Sequence, residues 1–258
     1  MTADLNLAGY FAPALCVGAR VSGWLTFTPF LGHAALPPPV KAILTLGLTI
    51  LLYPVVGASA GATIPPGTYP GPLVIVGELA VGMIMGLCVQ LVFEGIELGG
   101  TIIGTQLGFS MANLIDPMSQ VETTVVAVFH QTIALLMFLQ MDVHHTLVQA
   151  LARSYRYLPA GTAFTLKTPA PQLLHAAAGM WLVALEIAAP VMLATMLTDV
   201  TLAFVSRTSP QLVVMLMAFS IKALLGFTVL GATVVFWPWM LERHFLSAFS
   251  LAERMLLK

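Results

Sequence analysis

Two long runs without a charged side chain constrain this protein more than any other feature of its sequence. Residues 123–141 and 223–241 are runs of 19 residues that contain no Asp, Glu, Lys or Arg. A helix needs about 20 predominantly apolar residues to cross the hydrocarbon core of a bilayer. The whole chain is only 8% charged, whereas soluble domains carry about 25% charged residues. Lipid or partner subunits must therefore cover its surface, and the sequence predicts an integral membrane protein.

Six apolar segments are candidates for membrane helices. They are residues 7–31, 42–56, 73–93, 123–141, 173–204 and 212–240. The second segment is short for a full span, whereas the fifth is too long for one and contains Pro190, which predicts a kink or break near its middle. The predicted fold class is all-α, built from membrane-associated helical hairpins with kinked and partial spans.

Polar residues concentrate in two places. Residues 142–171 form the most polar stretch and are predicted to be a loop, whereas residues 241–258 place Leu241, Phe245 and Phe249 near one helical face. The tail is therefore predicted to be an amphipathic helix. The positive-inside rule places both segments in the cytoplasm. We expect one domain over residues 1–258 with this helix at its C-terminal end.

A ladder of glycines follows the third apolar segment. Gly95 and Gly99 are four residues apart, and so are Gly100, Gly104 and Gly108. Residues four apart share a helix face, and small residues at this spacing let a second backbone approach closely. Each interior glycine costs roughly 1 kcal/mol relative to alanine in a helix. Tight packing must offset that cost, and the ladder predicts a packing face for another subunit.

The helical pattern fails immediately after the ladder. Gly108 allows the chain to leave the helix, and Asp116-Pro117 predicts a turn back. The intervening residues are predicted to project as a plug that closes a channel, comprising Phe109, Ser110, Met111, Ala112, Asn113, Leu114, Asp116, Pro117 and Met118. Flexible methionine and phenylalanine side chains suit a compliant seal. Ordinary apolar packing is the alternative interpretation of the same residues.

Carboxylates within or beside the apolar segments are the other candidates for chemistry. They are Glu78, Glu94, Glu97, Asp116, Glu186 and Asp199. Ionisable groups are costly inside a membrane, so proton or substrate coupling is one hypothesis. The alternative, which we favour, is structural: the carboxylates cap helices, pair with Arg207 or Lys222, or face a water-filled channel.

Motifs of enzymes and metal sites are not recognisable in this sequence. It has no phosphate-binding glycine loop after a strand and no Cys-x-x-Cys spacing, since Cys16 and Cys88 lie far apart. His144 and His145 are adjacent and should point in different directions on a helix, which favours solvated histidines over a metal site. A net charge of -1 gives no reason to expect nucleic acid as a partner. We expect neither catalysis nor a cofactor.

Several short motifs occur in a fixed order along most of the chain. The opening block is Arg20-x-Ser22 with Pro29-x-x-Gly32, and the central block comprises Gly82, Gly86, Glu97-Leu98-Gly99-Gly100, Gly104-x-Gln106-x-Gly108 and Asp116-Pro117. Leu158-Pro159-x-Gly161, Ala189-Pro190, Arg207-Thr208-Ser209-Pro210-Gln211-Leu212 and Lys222-x-Leu224-Leu225-Gly226 follow. Taken together, this series resembles the FliR/SctT family of type III secretion export-gate proteins.

The resemblance implies a subunit of a hetero-oligomeric helical ring in the bacterial inner membrane, at the base of the flagellum. Its partners would be FliP-type and FliQ-type subunits, an FlhB-type switch protein, surrounding lipid and the unfolded proteins that are exported. The resemblance places residues 109–118 in the channel as its plug and includes Gln106 in the packing segment. Polar and proline positions given structural roles are Arg20, Glu186, Pro190, Asp199, Arg207, Pro210, Gln211 and Lys222. The alternatives are an injectisome subunit and a stand-alone secondary transporter that uses Glu186 and Asp199.

Overall fold

The computed structural model describes residues 7–29, 36–63, 70–109, 124–162, 170–208 and 213–256. In these ranges the secondary structure is helical, without a strand, which confirms the all-α prediction. The helices are α1 (Leu7–Phe27), α2 (Pro38–Thr63), α3 (Pro72–Gln106), α4 (Val125–Gln140), α5 (Val143–Tyr157), α6 (Ala170–Thr208), α7 (Val213–Thr233) and α8 (Trp237–Leu256). A short 3-10 turn, Val234–Phe236, separates α7 from α8.

The helices fall into two compact units that are interleaved along the sequence. The first unit comprises Met1–Leu91, Asp142–Ala176 and Phe245–Lys258, and the second comprises Val92–Met141 and Ala177–His244. The first unit therefore holds α1, α2, α5 and the beginning of α3, whereas the second holds α4, α7 and most of α6. The prediction of a single domain over 1–258 stays a prediction.

Close backbone contact between α1 and α3 organises the first unit. A Cβ atom on Gly82 would collide with the Arg20 carbonyl and lie 2.7 Å from the Trp24 nitrogen, and one on Gly86 would lie 2.7 Å from the Trp24 carbonyl oxygen. Gly23 faces the carbonyl of Leu79 in the same way. Glycine at these positions is thus required because the two helix backbones touch.

The C-terminal helix packs as its sequence pattern predicts. Leu241, Phe245, Phe249 and Leu256 are buried, whereas Glu242, Arg243 and Arg254 are exposed. In the first unit, Ala252 and Met255 of this helix pack against Cys88 of α3. The amphipathic helix is confirmed, although it begins at Trp237 and not at residue 241.

Four helical stretches of the described chain are long and apolar enough to cross a membrane. They are Pro38–Val56, Pro72–Gln106, Ala170–Arg207 and Ala218–Leu256. The segment at 42–56 is therefore not too short, because its helix begins at Pro38. The segment predicted at 123–141 forms α4, which reaches spanning length only if it is counted together with α5. Helix α1 is not among the four stretches.

Of the predicted kink or break at Pro190, the structure excludes the break, and the loop predicted over 142–171 is wrong. Pro190 does not break its helix, because α6 runs from Ala170 to Thr208 with the proline inside it. Proline has no N–H group and cannot donate the usual helical hydrogen bond. The neighbouring residues Ile187, Ala188 and Val191 are buried, and their packing stabilises the helix before and after Pro190. The predicted polar loop at 142–171 contains α5, whose buried residues Val143, Leu147, Leu151 and Ser154 recur at helical spacing among polar ones.

Candidate functional site

A fully buried ion pair lies at the α1–α3 contact of the first unit. Arg20 Nε donates to Glu78 Oε2 at 2.7 Å, and both side chains are 0% exposed. Buried charges are tolerated only when good geometry and further hydrogen bonds compensate for their lost hydration. The structure supplies these additional partners from α5 and from the turn that follows it.

The partners surround both members of the pair. Arg20 Nη1 donates to Ser154 Oγ at 3.1 Å, and the Arg20 guanidinium carbon lies 4.1 Å from the centre of the Tyr155 ring. The backbone nitrogen of Gly161 donates to Glu78 Oε1 at 2.7 Å. Gly161 has a φ of 94°, a conformation that favours glycine. The ion pair thus joins α1, α3, α5 and the turn after α5.

The sequence indicates parts of this network but not its connections. Arg20 and the Leu158-Pro159-x-Gly161 motif stand apart in the sequence, and Glu78 is one of six candidate carboxylates. Pairing between residues that are 58 positions apart leaves no local pattern. Glu78 is paired with a basic side chain, but its partner is Arg20 and not Arg207 or Lys222.

The thiol of Cys16 lies in the same buried part of α1. Burial raises the pKa of the Cys16 thiol to about 11; the Glu78 charge adds to this rise, whereas the Arg20 charge opposes it. The thiol is therefore protonated and neutral near pH 7. It does not disturb the charge balance of the Arg20–Glu78 pair.

The first part of the glycine ladder packs against α6 in the second unit. A Cβ atom on Gly95 would lie 2.6 Å from the Met180 carbonyl oxygen, and one on Gly99 would lie 3.0 Å from the Ala184 carbonyl oxygen. A Cβ atom essentially never lies as close to a backbone oxygen as the 2.6 Å found at Gly95, so this position has no room for a side chain. Helices α3 and α6 therefore meet along Gly95 and Gly99.

The next two glycines of the ladder pack against the beginning of α4. A Cβ atom on Gly100 would lie 2.7 Å from Ala127 Cα, and one on Gly104 would lie 2.6 Å from Thr124 Oγ1. Thr124 is also the N-cap of α4, because its hydroxyl accepts a hydrogen bond from the Ala127 nitrogen at 3.2 Å. One threonine thus starts α4 and holds it against α3.

These contacts correct the predicted partner of the ladder. The sequence predicted another subunit at the glycines, whereas the structure places the chain's own α4 and α6 there. The space that a side chain would occupy at Gly95, Gly99, Gly100 and Gly104 is filled by these helices, which leaves no room for a further backbone. Close approach was predicted correctly, but sequence spacing does not identify which helix makes it.

The helix ends where the pattern predicts. Gln106 is the last residue of α3 and is half-buried, and Gly108 has a φ of 88°. Gly108 N donates to the Thr105 carbonyl at 3.1 Å, and Phe109 N donates to the Gly104 carbonyl at 2.9 Å. This hydrogen-bond pattern is that of a Schellman motif, in which glycine ends a helix in the left-handed conformation. Gly108 therefore lies in the turn and not on the helix face, and it packs against the ring of Phe219.

Phe109 is the one residue of the predicted plug that lies in the described chain. Its ring contacts that of Phe227 edge-on, with 5.9 Å between the ring centres. Phe109 also lines an apolar cavity of about 360 Å³, together with Val125, Val126, Phe129, Phe227, Leu230, Gly231 and Val234. The other predicted plug residues, Ser110, Met111, Ala112, Asn113, Leu114, Asp116, Pro117 and Met118, lie outside the described residues.

Three carboxylates of the second unit have side-chain partners. Arg243 Nη2 donates to both oxygens of Glu186 at 3.1 and 3.2 Å, and His244 Nε2 lies 2.8 Å from Glu186 Oε2. Asp199 forms an ion pair with Lys222. The carboxylate of Glu97 accepts a hydrogen bond from Gln131 at 3.2 Å. The predicted pairing of a carboxylate with Lys222 is thus observed.

The remaining polar positions are resolved to different degrees. Arg207 lies exposed in the last turn of α6. No ion pair of Arg207 occurs within the described chain, so the suggested pairing with this residue is not observed there. Pro210, Gln211 and Asp116 lie outside the described residues.

Taken together, the helices and their polar contacts define an all-α membrane protein. In the described ranges its buried ion pair and its glycine contacts join helices to one another, and four stretches are suited to cross a membrane. The chain belongs to the family described as Bacterial export proteins, family 1, which matches residues 11–248.

Individual relatives agree with this family. The chain is 27% identical over 228 residues to the flagellar biosynthetic protein FliR of Bacillus subtilis (strain 168), covering 87% of each protein. It is 28% identical over 234 residues to FliR of Escherichia coli (strain K12), covering 88% of this chain and 84% of the relative. It is also 24% identical over 207 residues to the surface presentation of antigens protein SpaR of Shigella sonnei, covering 80% and 79%. The resemblance to the FliR/SctT family is confirmed.

Proposed function

We propose that this protein is a non-enzymatic subunit of the flagellar type III protein export gate in the bacterial inner membrane. The family match over residues 11–248 carries this proposal, and the FliR relatives favour the flagellar branch. FliP-type and FliQ-type subunits complete the channel, an FlhB-type protein acts at its entrance, and unfolded flagellar proteins pass through it. The similarity to SpaR supports an injectisome gate as the second candidate.

Apolar side chains that remain exposed support an assembly within a membrane. Helix α2 exposes Ile43, Leu46 and Ile50, and α6 exposes Leu193 and Leu197, each by more than 60%. Exposed apolar area on this scale marks surfaces that contact lipid or protein partners. These faces are the surfaces we assign to neighbouring subunits and lipid, since the glycine ladder is occupied by the chain's own helices.

The contacts of the described residues on either side of the predicted plug support its role as the seal of the channel. The described chain stops at Phe109 and resumes at Thr124. Gly104 packs against Thr124, and Phe109 shares the walls of one apolar cavity with Val125. A segment whose two ends are held close together can be displaced by a passing substrate and return to the same place afterwards. A closed-to-open equilibrium of a few kcal/mol is sufficient for such a seal.

A stand-alone transporter is less well supported than an export gate. Glu78, Glu186 and Asp199 each have a basic partner within the chain. Such pairs account for charged groups in apolar helices without proton coupling. Export-gate function therefore requires fewer assumptions about these residues.

Deletion of the gene in its source bacterium tests the proposal. We expect cells to lose motility and the secretion of flagellar proteins, and re-expression of the intact chain to restore both. The tagged chain should also co-purify with the FliP-type and FliQ-type proteins in detergent. Loss of injectisome secretion with normal motility would favour the second candidate. Normal motility together with purification of the chain alone would contradict an export-gate function.

A further inference from the structure

Three potential metal ligands meet at the beginning of α5. They are the carboxylate of Asp142 and the imidazoles of His144 and His145, whose ligand atoms all lie within 4.8 Å of one another. Asp142 Oδ1 lies 3.3 Å from His145 Nδ1 and 3.9 Å from His144 Nε2. The two imidazole rings are 4.4 Å apart between centres and are tilted by only 33°. The sequence argument that adjacent histidines point away from each other is therefore wrong for this pair.

The carboxylate of Asp142 is directed to the histidines and not to the helix backbone. Aspartate at the N-cap of a helix usually accepts hydrogen bonds from the first backbone N–H groups. Asp142 occupies the N-cap of α5, yet its side chain makes no capping hydrogen bond. It is also the one non-glycine residue with a positive φ, 55°, in the described ranges. An ordinary capping role does not explain this arrangement.

We propose that Asp142, His144 and His145 form a binding site for a divalent transition-metal cation such as Zn²⁺ or Cu²⁺. Imidazole nitrogen and carboxylate oxygen are ligands that these ions share, whereas Mg²⁺ and Ca²⁺ prefer oxygen alone. A tetrahedral ion with ligand distances of about 2.0–2.2 Å holds its ligand atoms about 3.3–3.5 Å apart. The Asp142–His145 distance already fits this spacing, and His144 reaches it by a small side-chain movement.

Asp142 and the two histidines contribute differently to the electrostatic balance of the metal site. The positive end of a helix dipole by itself disfavours a cation near the N-terminus of α5. The negative charge of Asp142 offsets that effect, and the two imidazoles supply neutral ligands. Exposure of Asp142 and His145, 73% and 71% for their side chains, leaves the site open to ions and leaves the fourth coordination position to water.

Copper binding to the full-length chain tests the site. The protein is purified in detergent through a tag that contains no histidine, and one equivalent of Cu²⁺ is added. We expect an electron paramagnetic resonance spectrum with coupling to two imidazole nitrogens, and displacement of the copper by Zn²⁺. His145→Ala and Asp142→Asn should each weaken binding by about tenfold or more, since even changes around metal ligands cost about 10–100-fold in affinity.

His175→Ala provides the matched control, because His175 is also an exposed histidine but has no place in the cluster. Asp142→Asn removes the charge while keeping a residue that tolerates the left-handed backbone. Helical circular dichroism and elution volume verify that each variant is folded, and His145→Gln replaces His145→Ala if the latter fails this check. Equal copper affinity in the wild type and in both cluster variants, or a loss equally large in His175→Ala, would overturn the proposal.

Discussion

Arg20 and Glu78 form a 2.7 Å ion pair whose two side chains are fully buried, although 58 positions separate them in the sequence. The pair lies where α1 and α3 are closest, next to Gly82. Ser154, Tyr155 and Gly161 complete its environment from α5 and the following turn. The network thus joins the Arg20-x-Ser22 motif near the beginning of the chain to the Leu158-Pro159-x-Gly161 motif after α5.

Removing one member of this pair should strongly destabilise the first unit. Glu78→Gln leaves the Arg20 charge buried without its counter-charge, and such changes typically cost about 3–5 kcal/mol of unfolding free energy. Denaturant titration of the detergent-solubilised protein, followed by circular dichroism, measures the loss. Arg153→Ala is the control, because its 3.9 Å pair with Glu253 is partly exposed and should contribute about 0–1 kcal/mol. Equal losses in the two variants would contradict a structural role for the buried pair.

Gly104→Leu should separate α3 from the beginning of α4. The new side chain meets Thr124 at the N-cap, and overpacking typically costs about 1–3 kcal/mol. We expect a lower melting temperature of the isolated chain and a loss of assembly as its consequence. Gly179→Leu serves as control, since no atom lies within 4 Å of a Cβ at that position. An unchanged melting temperature with lost assembly would restore the original prediction that another subunit contacts the ladder.

Neutral substitutions of the two carboxylates in α6 distinguish ion pairs from a proton relay. Glu186→Gln and Asp199→Asn keep the shape of the side chains, so we expect partial secretion of flagellar proteins in both variants. A relay would lose all activity, because an amide cannot take up and release a proton near neutral pH. Exchange of the charges in Asp199→Lys with Lys222→Asp should recover more secretion than either single reversal. Complete loss in both amide variants, with assembly intact, would support proton coupling.

Deletion of residues 110–114 tests the plug. The flanking anchors at Phe109 and Thr124 remain, so the complex should assemble in normal amount while ions leak through the gate. Membrane conductance and growth during expression report the leak. The intact chain, expressed at an equal level, is the reference. Identical conductance of the two complexes would show that this segment does not seal the channel.

Much of the fold follows from local pattern. The charge-free runs predicted helices, although the run at 123–141 does not by itself reach spanning length. The spacing of Leu241, Phe245 and Phe249 predicted the C-terminal amphipathic helix, and Gly108 predicted the end of α3. Each of these features depends on the residue's own backbone preference or on neighbours within a few positions, which sequence displays directly. The ordered motifs, in turn, were sufficient to identify the family.

Only the tertiary structure showed which residues and helices contact one another. Nothing local in the sequence distinguishes Arg20 from Arg207 as the partner of Glu78, or the chain's own α4 from another subunit as the neighbour of Gly104. Packing also overrode local preference at Pro190, where buried neighbours hold α6 together, and it brought the rings of His144 and His145 side by side. Contacts between distant segments depend on the free energy of the whole packed chain. Sequence spacing therefore predicted the helices and their ends, whereas only the folded structure determined which residues each helix face contacts.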